Sequence, residues 1–122
     1  MRKSAPSPDR VRDYRRGQTA EIVAAAFLIL KGHRILARRY KTALGEIDLI
    51  TLKNRRVGFV EVKYRRTRED CEAAVSSKLR QRVRNASGLW FAKNLRYQGH
   101  DVGFDLVFVV PCKAPAWLKD AL

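Results

Sequence analysis

Acidic residues are scarce in this chain of 122 residues: 12 Asp plus Glu stand against 26 Lys plus Arg, a formal net charge of +14. Cysteine and histidine are rarer still, with two of each. Cys71 and Cys112 lie far apart and could form one bridge at most. That excludes a disulfide framework and makes a reducing cytoplasm the expected compartment. His33 and His100 have no Cys or His neighbour at zinc spacing, which excludes a structural zinc site. No Ser, Cys or His cluster offers a nucleophilic triad, and no glycine-rich loop offers a phosphate cradle. The longest apolar run, Ile22 to Leu30, is well short of the ~20 residues that a membrane-spanning helix needs. Met1 to Gly17 is basic and contains no apolar stretch, so it does not read as a secretory signal. What remains is hydrophobic enough, at 46%, to build one core.

The positive charge is concentrated. Lys31 to Lys41 holds five basic residues and no acid, Lys53 to Arg68 holds seven and one acid, and Lys78 to Arg84 holds four and none. Solubility alone is served by mixed signs. A one-signed excess of this size points to a polyanion, and nucleic acid is the expected partner. An anionic membrane would call for a basic amphipathic helix, whereas the most apolar segment here carries almost no charge.

Read for elements, residues 1–16 form a flexible basic arm, 17–110 one domain and 111–122 a tail with an amphipathic fragment around Trp117. Gln18 to Lys31 reads as a helix that is apolar all round and therefore buried between other elements. Strands are expected at Arg34 to Tyr40, Leu44 to Leu52 and Arg56 to Tyr64, the last two joined by the polar turn at Lys53-Asn54-Arg55. Arg65 to Val75 reads as irregular. Ser76 or Ser77 caps a helix running to about Leu95, with Leu79, Val83, Ala86 and Trp90 at core spacing. Val102 to Val110 is a buried strand. The order α-β-β-β-α-β implies an α/β fold with a mixed central sheet flanked by helices.

In so basic a chain the acids are informative. Alternation places Val57, Phe59, Glu61 and Lys63 on one face of their strand, and Glu46 and Asp48 on one face of its partner, with Ile47, Leu49 and Thr51 opposite. If Asp48 faces Glu61, the two carboxylates repel unless a proton or cation lies between them. Mg²⁺ suits such a pair, since it takes oxygen ligands and keeps waters for chemistry. Lys63 beside it could handle a water or the charge growing on a phosphate. About one acid-x-Lys triplet is expected by chance at this composition, so Glu61-Val62-Lys63 alone is equally a structural ion pair. Glu21, an acid in the apolar helix, reads either as a helix-dipole carboxylate or as a further metal ligand. Asp105, inside an apolar strand, calls for an ion-pair partner. Trp90, Trp117, Phe91 and Phe104 read as packing, while Tyr40 and Tyr64 lie in basic blocks where a base could dock. The expected phosphate contacts are Arg38, Arg39, Arg65, Arg66, Arg68, Lys78 and Arg82, with Lys78 nearest the chemistry.

Gly45-Glu-Ile-Asp-Leu-Ile50 followed by Phe59-Val-Glu-Val-Lys-Tyr-Arg65, with Ala20-Glu21 upstream and Phe104-Asp105-Leu-Val downstream, resembles the small, uncharacterised bacterial YraN-like family. The resemblance covers about Gly17 to Val110. That family is similar in fold to restriction-endonuclease-like nucleases with a PD-(D/E)xK site, and among them to archaeal Holliday junction resolvases. The resemblance implies that Asp48 is the metal-binding Asp, Glu61 the second acid, Lys63 the lysine and Glu21 the first-helix Glu. It further implies that the Val62 carbonyl joins the metal shell. The motif's proline is replaced by Ile47, and Gly103 stands where a basic residue is expected before Phe-Asp.

The resulting expectation is a Mg²⁺-dependent endonuclease, with Mn²⁺ as substitute, that hydrolyses phosphodiester bonds in DNA. Branched or repair intermediates are the substrates the resemblance suggests, and a homodimer is the assembly. Two rivals share the charge pattern: a non-catalytic nucleic-acid-binding module, and an RNA- or ribosome-associated factor.

Overall fold

The computed structural model describes residues 8–122, with side chains from residue 17 onward. Residues 1–7 of the expected arm lie outside this range. Helix α1 spans Pro8–Leu30, so it begins ahead of Gln18 and takes in most of the segment read as an arm. Proline is well suited to a first helical position, where its missing N–H would have no intrahelical acceptor.

Strands β1 (Arg34–Thr42), β2 (Gly45–Lys53) and β3 (Arg56–Tyr64) form an antiparallel meander. Asn54 and Arg55, with φ of 50° and 62°, make the tight turn between β2 and β3. Two helices follow: α2 (Arg68–Ala73) in the segment read as irregular, and α3 (Ser77–Lys93). The cap of α2 was legible, since Thr67 Oγ1 accepts from the Asp70 N–H at 3.1 Å and Glu69 and Asp70 fill the first turn. Ser76 caps α3 in the same way through the Leu79 N–H at 3.1 Å. β4 (Asp101–Val109) returns parallel to β3. The expected tail is part of the sheet: β5 (Ala116–Leu118) pairs antiparallel with β4, and Leu122 is buried. The sheet order is β1-β2-β3-β4-β5. This is a mixed α/β architecture with helices on both faces.

Two cores lie either side of the sheet. Val83, Ala86 and Trp90 of α3 pack on Ile47, Ile50, Val57, Phe59, Leu106 and Phe108. Trp90, Phe91 and Phe104 surround the Phe59 ring at centroid distances of 5.5 to 5.7 Å, as packing rather than base-stacking surfaces. Tyr40 packs against this same core. On the other face, Ala20, Ala24, Ala25 and Leu28 of α1 cover Leu49, Val60, Val62, Val107 and Val109. Contrary to the all-round burial expected of α1, Ile22, Val23, Ile29 and Leu30 are exposed, Leu30 at 85%. The helix is an outer layer, and nothing among the described residues covers its far side.

Ile47 and Leu49 belong to opposite cores, which corrects the expectation that they share a face. The cause is a shared irregularity. Arg38↔Leu49 and Tyr40↔Ile47 are paired, but the rung between them, Arg39 with Asp48, is not. Arg39 has φ 51°, a left-handed conformation that costs an L-residue about 1–2 kcal/mol. Beyond that rung both strands have exchanged their inward and outward sides.

Asp105 is fully buried and bound bidentately by Arg56, at 2.8 and 2.6 Å, and by the Asp120 N–H at 2.8 Å. Asp120 also takes the Arg56 guanidinium at 2.8 Å. The absence of a basic residue at 103 is thereby explained: a methyl on Gly103 would overlap the Arg56 guanidinium, which supplies the cation from the neighbouring strand. Gly103→Ala is expected to expel Arg56 and leave Asp105 unpaired, at a cost of about 3 kcal/mol. Urea unfolding of the two proteins measures it, and an unchanged midpoint would refute this account of Gly103.

Candidate active site

The ladder between β2 and β3 runs from Lys53↔Arg56 to Leu49↔Val60 and stops one residue short of Asp48 and Glu61. There Asp48 Oδ2 accepts the Val62 N–H at 2.8 Å, so a carboxylate takes the hydrogen bond that a strand carbonyl would otherwise receive. This holds Asp48 within hydrogen-bonding reach of the buried Glu61. Lys63 Nζ lies 3.3 Å from Glu61 Oε1, as regular alternation along β3 predicts. Glu21 joins from α1, whose small residues Ala20 and Ala24 let it lie close on the sheet. Among the described residues its buried Oε2 has no hydrogen-bond donor, and it stands 3.6 Å from Arg39 Nε.

The electrostatics follow from burial. Desolvation, then repulsion from Glu61, raises the Asp48 pKa to about 8. Desolvation, then Asp48, raises Glu21 to about 7. Glu61 is raised as well, chiefly by burial, with Lys63 opposing the shift. At neutral pH the pair therefore shares a proton unless a cation replaces it.

Among the described residues no three His, Cys, Asp or Glu side chains form a ready-made metal cage. A hard divalent ion does not require one, because Mg²⁺ is commonly held by one or two carboxylates and keeps several waters. Adjacent buried carboxylates in need of positive charge, with an orphaned Glu21 oxygen nearby, fit that donor set.

Two cavities flank the carboxylates. One of about 550 Å³ is lined by Gly17, Ala20, Glu21, Asp48, Glu61, Val62 and Lys63, with Tyr64, Arg65 and Arg66 at the end of β3. The other, of about 530 Å³, shares Asp48, Glu61 and Lys63 and continues between the β1–β2 turn and Leu79 and Arg82 of α3. Tyr64, Arg65, Arg66 and Arg82 are thus at the site. Arg38, Arg68 and Lys78 line neither cavity. Arg68 pairs with Glu72 at 3.3 Å and lies over the Phe108 ring in a separate groove. Arg39 contacts Glu21 and, at 3.8 Å, Glu46, a role that charge counting assigned to phosphate. The reading also missed the β1–β2 turn as a cavity wall, although Gly45 beside the acidic strand marks it.

A family model for the uncharacterised protein family UPF0102 matches residues 20–109. The chain belongs to the UPF0102 family. It is 41% identical over 119 residues to a UPF0102 protein of Rhodopseudomonas palustris strain HaA2, covering 98% of this chain and 93% of the relative. A UPF0102 protein of Rhizobium meliloti is 40% identical over 121 residues, 99% of each chain. The mlr4633 UPF0102 protein of Mesorhizobium japonicum is 41% identical over 116 residues, covering 95% of this chain and 93% of that relative. The matched span of this UPF0102 chain contains all four candidate catalytic residues. The bacterial family that the sequence resembles is thereby found.

With Asp48 raised from 3.8 to about 8, the folded state binds the extra proton between those values. Its contribution to stability is full below about pH 4 and lost as pH rises through 8. Asp48→Asn removes this loss. In EDTA the variant should therefore melt above wild type by several degrees at pH 8.5, and the gap should shrink toward pH 4. Thermal melts across that range test it; a gap independent of pH would contradict the assigned shift.

Proposed function

We propose that this UPF0102 protein is a Mg²⁺-dependent endodeoxyribonuclease of the restriction-endonuclease-like class. The observation that carries the reading is the meeting of Asp48, Glu61 and Lys63 where β2 and β3 part, between two cavities with arginines at their edges. Strongly perturbed carboxylates in a cleft, shifted by burial and by a specific charged neighbour, are what a catalytic site requires. In this reading Asp48, Glu61 and the Val62 carbonyl would hold the ion, and Glu21 would be a further ligand. Mg²⁺, or Mn²⁺ in its place, would supply Lewis-acid polarisation of the phosphate and an acidified water. Lys63 Nζ orients the water whose oxygen bonds to phosphorus as the P–O ester bond breaks, and balances charge on the phosphoryl oxygens. The water gives up a proton to solvent and the leaving oxygen takes one from solvent. Tyr64, Arg65, Arg66 and Arg82 hold the flanking backbone. Branched or repair-related DNA is the substrate, and a homodimer would allow two strands to be cut.

A second reading is favoured by the ion pairs themselves. Arg39 with Glu21 and Lys63 with Glu61 are what a non-catalytic nucleic-acid-binding protein would use to neutralise its acids. The two readings differ in metal linkage. A nuclease site gains melting temperature with millimolar Mg²⁺ or Mn²⁺ and loses that gain in Asp48→Asn.

Activity decides between them. On labelled duplex, single-stranded, flap and four-way-junction DNA and on RNA, wild type should cut DNA in Mg²⁺ or Mn²⁺. Lys63→Ala should be at least about 100-fold slower. Equal cutting by both proteins would identify a contaminant. Salt-sensitive binding with no cutting by either would put the binding module ahead.

A further inference from the structure

The second cavity has one wall that neither metal binding nor phosphate binding explains. It is the two-residue turn between β1 and β2, Ala43-Leu44, which presents Leu44 at 50% exposure beside Asp48, Glu61 and Lys63. A single exposed leucine is ordinary. This one is held rigidly. Thr42 Oγ1 accepts the Leu44 N–H at 3.1 Å and the Gly45 N–H at 3.0 Å and donates to the Gly45 carbonyl at 2.7 Å. Gly45, at φ +153°, packs so closely on α3 that a Cβ there would stand 3.1 Å from both Arg82 Cβ and the Arg82 carbonyl oxygen. The turn thus packs directly on the helix that carries Arg82, which lines the same cavity.

A continuous duplex offers a basic cleft phosphates, sugars and groove edges, and its base faces are hidden in the stack. Apolar side chains on architectural proteins reach those faces by wedging between base steps and unstacking them, at a cost that a step already interrupted does not carry. We propose that Leu44 is a specificity-determining residue that packs on the face of an unstacked base beside the scissile phosphate. The protein then selects DNA already interrupted at that step, such as a branch point or a single-base bulge, over continuous duplex. The proposal rests on the nuclease reading for the position of the phosphate, but its test reads binding. A rigid turn suits this role, because a mobile one would lose its ordering entropy on every encounter.

The test uses the full chain carrying Asp48→Asn, so that cutting does not consume the probe. Leu44 is compared with Leu44→Ala and Leu44→Phe. Affinities are measured for a four-way junction, a duplex with a single-base bulge and a continuous duplex, with 2-aminopurine at the interrupted step. The Leu44 protein should prefer the interrupted DNAs and raise the 2-aminopurine fluorescence. Leu44→Ala should lose about tenfold on those two probes and nothing on duplex, with an unchanged salt slope and no fluorescence rise. Leu44→Phe should restore both signals. Equal affinity of the Leu44 protein for all three DNAs would overturn the proposal, as would equal loss on all three or no effect of Leu44→Ala. Cutting by the native chain is scored separately. If it never cuts but Leu44→Ala still abolishes the preference, the nuclease reading fails and the base contact stands. If it cuts and Leu44→Ala changes no preference, the reverse holds.

Discussion

The hydrogen bond from the Val62 amide to Asp48 Oδ2 determines how the middle of this molecule is arranged. A buried backbone N–H must have an acceptor, and next to Leu49↔Val60 the acceptor is a side chain rather than a strand. The β2–β3 ladder ends at this point, and Asp48 and Glu61, just beyond its last rung, line both cavities. The hydrogen bond from Val62 holds the two carboxylates close, a position they would leave if free to move. The cores on either face, α3 with its aromatic cluster and α1 with its alanines, keep the strands from relaxing around them.

The charge distribution has an inside and an outside. Most of the basic residues are at the surface, where solvent screens their mutual repulsion. The acids are divided. Asp105 is neutralised by Arg56 and contributes to the fold, whereas Asp48, Glu61 and Glu21 remain incompletely compensated around the cavities. A proton can balance that deficit temporarily. Buried carboxylates left short of positive charge cost the folded state stability.

Much of this was readable from the chain, and the failures have physical causes. β3 is regular, so alternation correctly placed Glu61 beside Lys63. β2 is not, and no propensity announces that Arg39 and Asp48 will leave the ladder together. The apolar body of α1 predicted burial on every side, because a sequence does not say how many layers will cover a helix. Asp105 announced a need for a partner. That the partner would be Arg56, lying over Gly103, depends on a parallel pairing between distant segments. Arg68 looked equal to Arg82 on charge alone, and Lys78 looked nearer the chemistry because it opens α3; only the packing of α2 and α3 puts Arg82 at the cavity and the other two outside it. The short β5 carried too few residues to show a period.

The unpaired rung of Arg39 and Asp48 has a consequence for how this sequence can change. Each strand takes one step out of phase there, and the two steps cancel. Deleting a residue from one strand alone would turn the end of the hairpin inside out, exposing Ile47 or Tyr40 and driving charged neighbours into the core. Removing one from each would restore the pleat and erase the acid. The parity of the hairpin is therefore a property of two positions taken together, and the carboxylate at 48 is protected by the geometry of the opposite strand as much as by its own chemistry.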